Sequence, residues 1–201
     1  MRLSHVVFGG VILVVLVFVI GGVTTNNGLV DKYQNGYVKQ LGNVDAACQR
    51  RYDLVPNLVS SMKAYLKHEK GVFEEIAHAR TMIGQNKLDL TNLDVESVQA
   101  FMKAQDQMSA SLSRLIALRE SYPDLKSNEQ FKIFMSQLEG AENRIATERH
   151  RLNEAVTGYN AERQKIGTRF FVSLFGMDFP YELPVFQADE GAAKAPQVSF
   201  E

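Results

Sequence analysis

The stretch Arg50–Val59, RRYDLVPNLV, decides how the chain is expected to fold. It places a proline and charged side chains beside aliphatic pairs, within a segment whose apolar residues recur at alternating steps of three and four. Val55 and Leu58 continue this register across Pro56, which predicts one helix that is kinked at the proline. The alternative is a new helix that begins with Asp53 as its N-cap and carries the proline in its first turn.

Three apolar stripes with helical spacing extend outward from this stretch. Such stripes are typical of long helices that pack at shallow angles, and the sequence has no sustained period-two run that would predict a strand. They therefore predict an all-α fold, with an antiparallel up-and-down bundle of three or four long helices. The stripes run from Leu41 to Ile76, from Val98 to Tyr122 and from Phe131 to Tyr159.

The segments between the stripes predict where the helices begin and end. The number of helices depends on whether the chain breaks at His68–Gly71. Residues 84–94, GQNKLDLTNLD, are predicted to form a loop, with Asp94 as the N-cap of the next helix. Asp124 or Ser127, which follow a Tyr-Pro pair, is expected to cap the helix of the third stripe.

An apolar run, VVFGGVILVVLVFVIGGV, occupies Val6–Val23 ahead of the bundle. It has no charged side chain and reaches the roughly 18 residues at which an apolar run predicts a transmembrane helix. A cleaved signal peptide is the alternative, but no Ala-x-Ala-like site follows the run, so an uncleaved anchor is favoured. Arg2 precedes the run, and by the positive-inside rule the N-terminus is expected in the cytoplasm and the bundle outside it.

These patterns divide the chain into six expected segments. They are a short N-terminal segment (1–5), a transmembrane helix (6–23), a polar hinge that breaks or softens the helix (24–36), a helical bundle (37–165), an aromatic segment expected to hold a short helix and irregular chain (166–187), and a tail (188–201). The tail is too rich in Ala, Gly, Pro and charged residues to bury a core, so it is predicted to be disordered.

Composition argues against several classes of function. The 22 basic and 23 acidic residues nearly balance, which disfavours nucleic-acid binding. Cys48 is the only cysteine, so no intrachain disulfide and no cysteine zinc site is expected. Glu75 and His78 supply one Glu-x-x-His pair, but a di-iron site needs a second pair, which is missing. We therefore predict no cofactor and no catalytic residue.

Charged residues on the apolar stripes are the remaining candidates for a functional site. Arg51 and Glu148 occupy stripe positions, where opposite charges are expected to pair across the bundle, along with Asp53, Glu142 and Asn143, and to fix helix register. The alternative is that Arg51 extends out to solvent. The phenylalanines near the C-terminus are expected either to fold back over the end of the bundle or to form an exposed patch for a partner or a bilayer. The interaction candidates are Arg50, Arg51, Asp53, Pro56, Asn57, Glu142, Asn143, Arg144, Glu148, Phe170, Phe171 and Phe175.

Four stretches resemble the LemA family, in the family's order. They are QRRYDLVPNLVSSMKAYLKHEKGVFEEIAHAR at Gln49–Arg80, LSRLIALRESYPDLKSNEQF at Leu112–Phe131, ENRIATERHRLNEAVTGYN at Glu142–Asn160, and LFG at Leu174–Gly176. The resemblance implies one membrane-spanning helix followed by an antiparallel domain of long helices, with no established catalytic activity. The resemblance also implies association with membranes, because members of the family are membrane proteins. Some members are associated with envelope stress proteases, and one branch is associated with magnetosome membranes.

The leading functional hypothesis is a single-pass protein of the bacterial inner membrane. Its bundle is expected to serve as a scaffold that binds another copy of itself or a membrane partner such as an envelope protease. Two alternatives remain: a metal-dependent or hydrolytic enzyme that uses Glu75 and His78, and a membrane-remodelling protein that acts through the aromatic C-terminal segment.

Overall fold

The computed structural model describes residues 2–63, 65–118 and 121–186, and within them the fold is all-α, which confirms the predicted class. The predicted disordered tail, 188–201, lies outside the described residues. The helices are α1 (Arg2–Val30), a π-helical segment (Asp31–Val38), α2 (Lys39–Lys63), α3 (Lys70–Gln85), α4 (Val95–Leu118), α5 (Pro123–Ser127), α6 (Glu129–Gln164) and α7 (Ile166–Phe175).

The region predicted as a polar hinge stays helical but changes its hydrogen-bonding pattern. The backbone N–H of Lys39 bonds to the carbonyl of Gln34, five residues back, as in a π-helix. Asn35 and Gly36 are weak helix formers, so this segment adopts the wider turn at low cost. Tyr37 is buried here, which anchors one side of the segment despite its polar sequence.

The helix that carries the opening stretch continues through its proline. α2 contains Pro56 in its interior, so the interpretation in which a new helix starts at Asp53 is wrong. α2 ends at Lys63 and α3 begins at Lys70, close to the break that was expected at His68–Gly71. The bundle therefore has four long helices, α2, α3, α4 and α6.

Side-chain caps mark the start of two of these helices. Asp94 Oδ1 accepts a hydrogen bond from the backbone N–H of Ser97 at 2.7 Å, as an N-cap does. The expected cap of the third stripe is wrong, because Asn128 Oδ1 accepts the bond from the backbone N–H of Phe131 at 2.9 Å. Asp124 and Ser127 instead belong to the single turn of α5, which lies ahead of this cap.

Backbone contacts divide the chain into two compact units. The α1 unit comprises the chain up to Gln40 and Leu152–Leu183, and the bundle unit comprises Leu41–Arg151 and the described residues from Pro184 onward. The apolar stripes of α2, α3, α4 and α6 meet in the core of the bundle unit. Large side chains in this core include Leu58, Met62, Ile76, Met108, Leu112 and Phe131.

In the α1 unit the aromatic C-terminal segment forms the predicted short helix and irregular chain. α7 ends at Phe175 and is capped by Gly176, whose φ of 59° is a left-handed conformation that glycine adopts without strain. The irregular chain beyond it is tied to α6, because the hydroxyl of Tyr159 donates to the carbonyl of Pro180 at 2.6 Å and Asn160 exchanges two hydrogen bonds with the backbone of Leu183.

Candidate functional site

Arg51 lies on the buried face of α2 and is fully enclosed in the bundle unit. Its Nη1 donates to Glu142 Oε1 at 2.9 Å, and its Nη2 donates to the Oε1 of Gln105 at 2.6 Å and to the carbonyl of Gln105 at 3.1 Å. Nη1 also donates to the hydroxyl of Ser109. The guanidinium therefore links α2 to α4 and α6 through directional bonds, which apolar packing does not provide.

The two partners of this ion pair differ in solvent access. The Arg51 side chain has no exposed surface, whereas the Glu142 side chain is 36% exposed. Gln105 is buried and depends on Arg51 for its side-chain oxygen. Because the arginine is enclosed and engaged by protein groups, this arrangement is suited to holding three helices in register and not to receiving a ligand.

The expected pairing of Arg51 with Glu148 is wrong. Glu148 is also fully buried, but its Oε1 accepts from Arg144 Nε at 2.8 Å and from Arg151 Nη1 at 3.0 Å, both on the same helix. Arginines four residues before and three residues after a glutamate lie on its side of the helix, so α6 itself supplies the counter-charges of this carboxylate, although its Oε2 is buried without a hydrogen-bond partner among the described residues. The carboxylate that reaches Arg51 is that of Glu142, a neighbouring candidate.

The other candidates around the opening stretch are not part of this network. Arg50, Asp53, Pro56 and Asn57 are exposed on α2, and the Asp53 carboxylate accepts from Gln49 Nε2 at 2.8 Å. These residues do not form one polar cluster around Pro56, because helical rotation turns Arg51 inward and its charged neighbours outward. Exposure leaves these side chains available to a partner.

Sequence reasoning missed some members of the network. Gln105 fills the step between Phe101 and Met108 on the second stripe, and Ser109 follows it by four residues. The available signal was the polar side chain of Gln105 at a position of an apolar stripe, where it could accept a hydrogen bond from an arginine on the neighbouring stripe. Asn143 and Arg144, which were predicted, are exposed on α6.

An ion pair that links α4 to α6 was also missed. Arg149 Nη2 lies 2.7 Å from Asp106 Oδ1, and its guanidinium lies 5.6 Å from the ring centre of Phe186. Arg51 and Arg149 therefore each connect separate parts of the bundle unit, and Arg149 also contacts the segment after Leu183.

Cys48 precedes Arg51 by three residues and is buried with it. Burial raises the pKa of the Cys48 thiol to about 11, although the positive charges of Arg51 and Arg149 act in the opposite direction. A protonated, enclosed thiol is a poor nucleophile and metal ligand, as expected from its position on the apolar stripe.

Glu75 and His78 lie on an exposed groove of about 400 Å³ between α3 and α4. Both oxygens of the Glu75 carboxylate accept from Arg114 Nη1 at 2.8 Å. An arginine that occupies both oxygens competes with any cation for this carboxylate. No group of three or more metal-ligating side chains is found in the described part of the chain.

The apolar run predicted to span a membrane lies on α1. Its large side chains are exposed, with values from 40% at Phe18 to 71% at Val6. Among the described residues, one helix is long and apolar enough to cross a membrane, and this run is its apolar part. A helix that exposes so much apolar surface needs a nonpolar environment or a partner.

The aromatic candidates of α7 divide between two faces of that helix. Phe171 and Phe175 place their rings directly on Gly21 and Gly22 of α1, where any side chain would collide with them. Phe170 and Phe175 remain 49% and 48% exposed, and the ring of Phe170 also lies 6.0 Å from that of Phe18. The aromatic segment thus packs on α1 with one face and leaves the other open, so neither of the two expectations describes all of it.

Comparison with known proteins places these features in a family. Two copies of the magnetosome protein MamQ in Paramagnetospirillum magneticum are each 28% identical to the chain over 140 residues, which cover 61% of the chain and 52% of each relative. Magnetosome protein MamQ of Magnetospirillum gryphiswaldense is 25% identical over 151 residues, 67% of the chain and 55% of that protein. The chain spans about half the length of the curated relatives it matches.

The model of the LemA family matches residues 40–200, which include all but the first residue of α2 and the whole Arg51 network. This match covers most of the chain and agrees with the four sequence stretches that resemble the family. Together with the apolar α1, it indicates a membrane-associated helical protein. The chain belongs to the LemA family.

Proposed function

We propose that this chain is a single-pass, membrane-anchored scaffold of the bacterial inner membrane, without catalytic activity. α1 is the anchor, and the bundle unit provides a rigid helical surface for a second copy of the chain or for a membrane protein such as an envelope protease. The observation that carries the proposal is the apolar surface of α1, which stays exposed along Val6–Val23.

The bundle supports a binding role by its rigidity. A surface made of several helices presents a fixed pattern to a partner only if the helices keep their register. The bonds from Arg51 to α4 and α6 serve this purpose at an interior position. The exposed residues Arg50, Asp53 and Asn57 lie on the opposite side of α2 at helical spacing, so we assign the partner contact to this stripe.

The relatives and the charge pattern guide the proposed location. The MamQ relatives are named as magnetosome proteins, and we extend to this chain only a place at a membrane. Arg2 ahead of the apolar run favours a cytoplasmic N-terminus, with the bundle on the extracytoplasmic side. A reporter that is active only in the cytoplasm, fused at Glu201, is expected to be inactive, and full activity of that fusion would reverse the orientation.

Site-specific photocrosslinking in native membranes tests the scaffold function. A photoreactive residue replaces Asn57 in the exposed stripe of α2, and the matched control replaces Glu96, which is exposed on α4. We expect a crosslinked band from the Asn57 position that contains a second copy or a membrane protein, and none of that size from the control. Monomeric protein at both positions would contradict the proposal.

A specific observation favours a second role for α7. Its outer face is apolar and exposed, which suits contact with a bilayer surface. Removing the chain after Gly167 is expected to abolish any effect on vesicle shape while the bundle unit keeps its helical signal. Unchanged vesicle remodelling by the truncated chain would exclude α7 as its cause.

A further inference from the structure

A groove of about 620 Å³ lies within the α1 unit, along the outer face of α7 and the end of α6. Its charged lining residues are Arg163 and Arg169, and among the described residues no acidic side chain lines it. Its apolar lining includes Ile166, Phe170 and Leu174. The groove therefore combines positive charge with apolar surface, and neither the scaffold function nor the Arg51 network uses it.

Arg163 is the unusual member of this lining. It is only 9% exposed, its guanidinium lies 5.5 Å from the ring centre of Tyr181, and its Nε is buried without a hydrogen-bond partner among the described residues. A buried guanidinium N–H without an acceptor is costly, because that N–H has lost water and gained no acceptor in exchange. The Nε atoms of Arg51 and Arg149 are buried in the same way, but Arg163 is the one of these three that lines this groove. An anionic ligand in the groove would supply an acceptor to Arg163 when the side chain turns toward it.

Arg163 hydrogen-bonds to the hydroxyl of Tyr159, but within the described residues no carboxylate pairs with either arginine. Glu162, the acidic residue that precedes Arg163, accepts from Lys165 Nζ at 3.0 Å. Arg169 is exposed six residues further along the chain. Two guanidinium groups without a paired carboxylate match a phosphate diester, because the planar N–H donors fit phosphate oxygens in pairs.

The apolar part of the groove faces outward at regular helical spacing. Ile166, Phe170 and Leu174 follow one another at four-residue steps and are 87%, 49% and 53% exposed. Their stripe lies on α7, whose other face packs on Gly21 and Gly22. These glycines are close to the end of the apolar run of α1, so the groove lies beside the helix proposed to cross the membrane, near one end of its apolar span.

We infer that this groove binds one anionic phospholipid, with the headgroup phosphate on Arg163 and Arg169 and an acyl chain along Ile166, Phe170 and Leu174. The inference rests on the proposed membrane anchoring, since only an anchored chain holds the groove at the level of lipid headgroups. The positive charges of the two arginines favour an anionic lipid over a zwitterionic one. The exposed apolar stripe favours a lipid, which has an acyl chain, over a free phosphate.

Native mass spectrometry of the full chain in detergent tests this site. The chain is titrated with phosphatidylglycerol or with phosphatidylcholine of the same acyl chains, and glycerol 3-phosphate is added as a competitor without chains. We expect phosphatidylglycerol to bind about tenfold more tightly than phosphatidylcholine, the size of one charge-assisted contact. We also expect glycerol 3-phosphate to compete only at far higher concentration.

Two variants of equal charge distinguish the groove from general surface charge. Arg169→Gln removes a groove arginine, whereas Lys165→Gln removes an exposed cation that is paired with Glu162 outside the groove lining. Arg169→Gln is expected to abolish the preference for phosphatidylglycerol, and Lys165→Gln to retain it. Equal binding of the two lipids, an equal loss in both variants, or competition by glycerol 3-phosphate at lipid concentrations would overturn the assignment.

Membrane fractionation of the same variants separates this inference from the proposed function. Arg169→Gln protein is expected to remain in the membrane fraction, because α1 is unchanged. Loss of lipid preference with retained fractionation supports the site. Wild-type protein that has no lipid preference but stays in the membrane would overturn the site alone, and wild-type protein that leaves the membrane would overturn the anchoring itself.

Discussion

The Arg51 network predicts an asymmetry between the two halves of its ion pair. Replacing Glu142 with glutamine keeps the shape of the side chain but leaves the guanidinium of Arg51 buried without a counter-charge. Replacing Arg51 with methionine leaves a carboxylate that is 36% exposed and can turn to water. The substitution at the more exposed residue should therefore be the more damaging one.

The magnitudes follow from what each variant leaves behind. Glu142→Gln should cost about 3 kcal/mol, the low end of the range for an uncompensated buried charge, because the carboxylate edge of the site is partly solvated. Arg51→Met should cost about 2 kcal/mol, chiefly because the buried oxygen of Gln105 loses its donor. The double variant should cost no more than Arg51→Met alone, since glutamine at 142 then faces no charge.

Thermal unfolding of the full chain in detergent, followed by far-ultraviolet circular dichroism, measures these differences. The chain has no tryptophan, so the helical signal is the suitable probe. For a chain of this size, about 3 kcal/mol corresponds to a decrease in Tm of roughly 6–12 °C and about 2 kcal/mol to roughly 4–8 °C. Additive losses in the double variant, or a smaller loss for Glu142→Gln than for Arg51→Met, would refute the reasoning.

Three further predictions concern other parts of the chain. Gly21→Val should displace Phe171 and increase protease cleavage within α7, whereas Gly9→Val, where a side chain meets open space, should leave cleavage unchanged. Cys48 should react with iodoacetamide at about pH 8 at least a hundredfold more slowly in the folded chain than in the unfolded chain, because burial raises the thiol pKa to about 11. Equal rates in the two states would contradict the burial of Cys48. Asn128→Ala should lower the free energy of unfolding by about 1 kcal/mol through loss of the cap, and Asn128→Asp, which keeps an acceptor oxygen, should recover most of it in the same unfolding assay.

Features that repeat along the sequence could be predicted from it. The apolar spacing of Leu41, Val55 and Leu58 located α2 through Pro56, because helical periodicity depends only on neighbours along the chain. The loop before Asp94 followed from turn-forming residues and a capping aspartate. Both rest on local interactions, which a single sequence records directly.

Features that depend on the relative position of two helices could not be predicted. Arg51 and Glu148 could be assigned to apolar stripes, but the offset of α6 along α2 decides which carboxylate meets the arginine, and that carboxylate belongs to Glu142. Likewise, Gly21 and Gly22 ended an apolar run without any sign that phenylalanine rings would cover them. Phe171 and Phe175 are spaced four residues apart on α7, as the contact requires. This spacing indicates the contact only when the position of α7 against α1 is known.

Alkaline carbonate extraction of membranes that carry the full chain most directly tests membrane anchoring through α1. The comparison variant carries Leu13→Lys and Leu16→Lys, which place two charges in the apolar run at a cost of about 3 kcal/mol each near the centre of a bilayer. The account predicts that the wild-type chain stays in the membrane pellet and the double-lysine variant moves to the soluble fraction. Release of the wild-type chain by carbonate would contradict it.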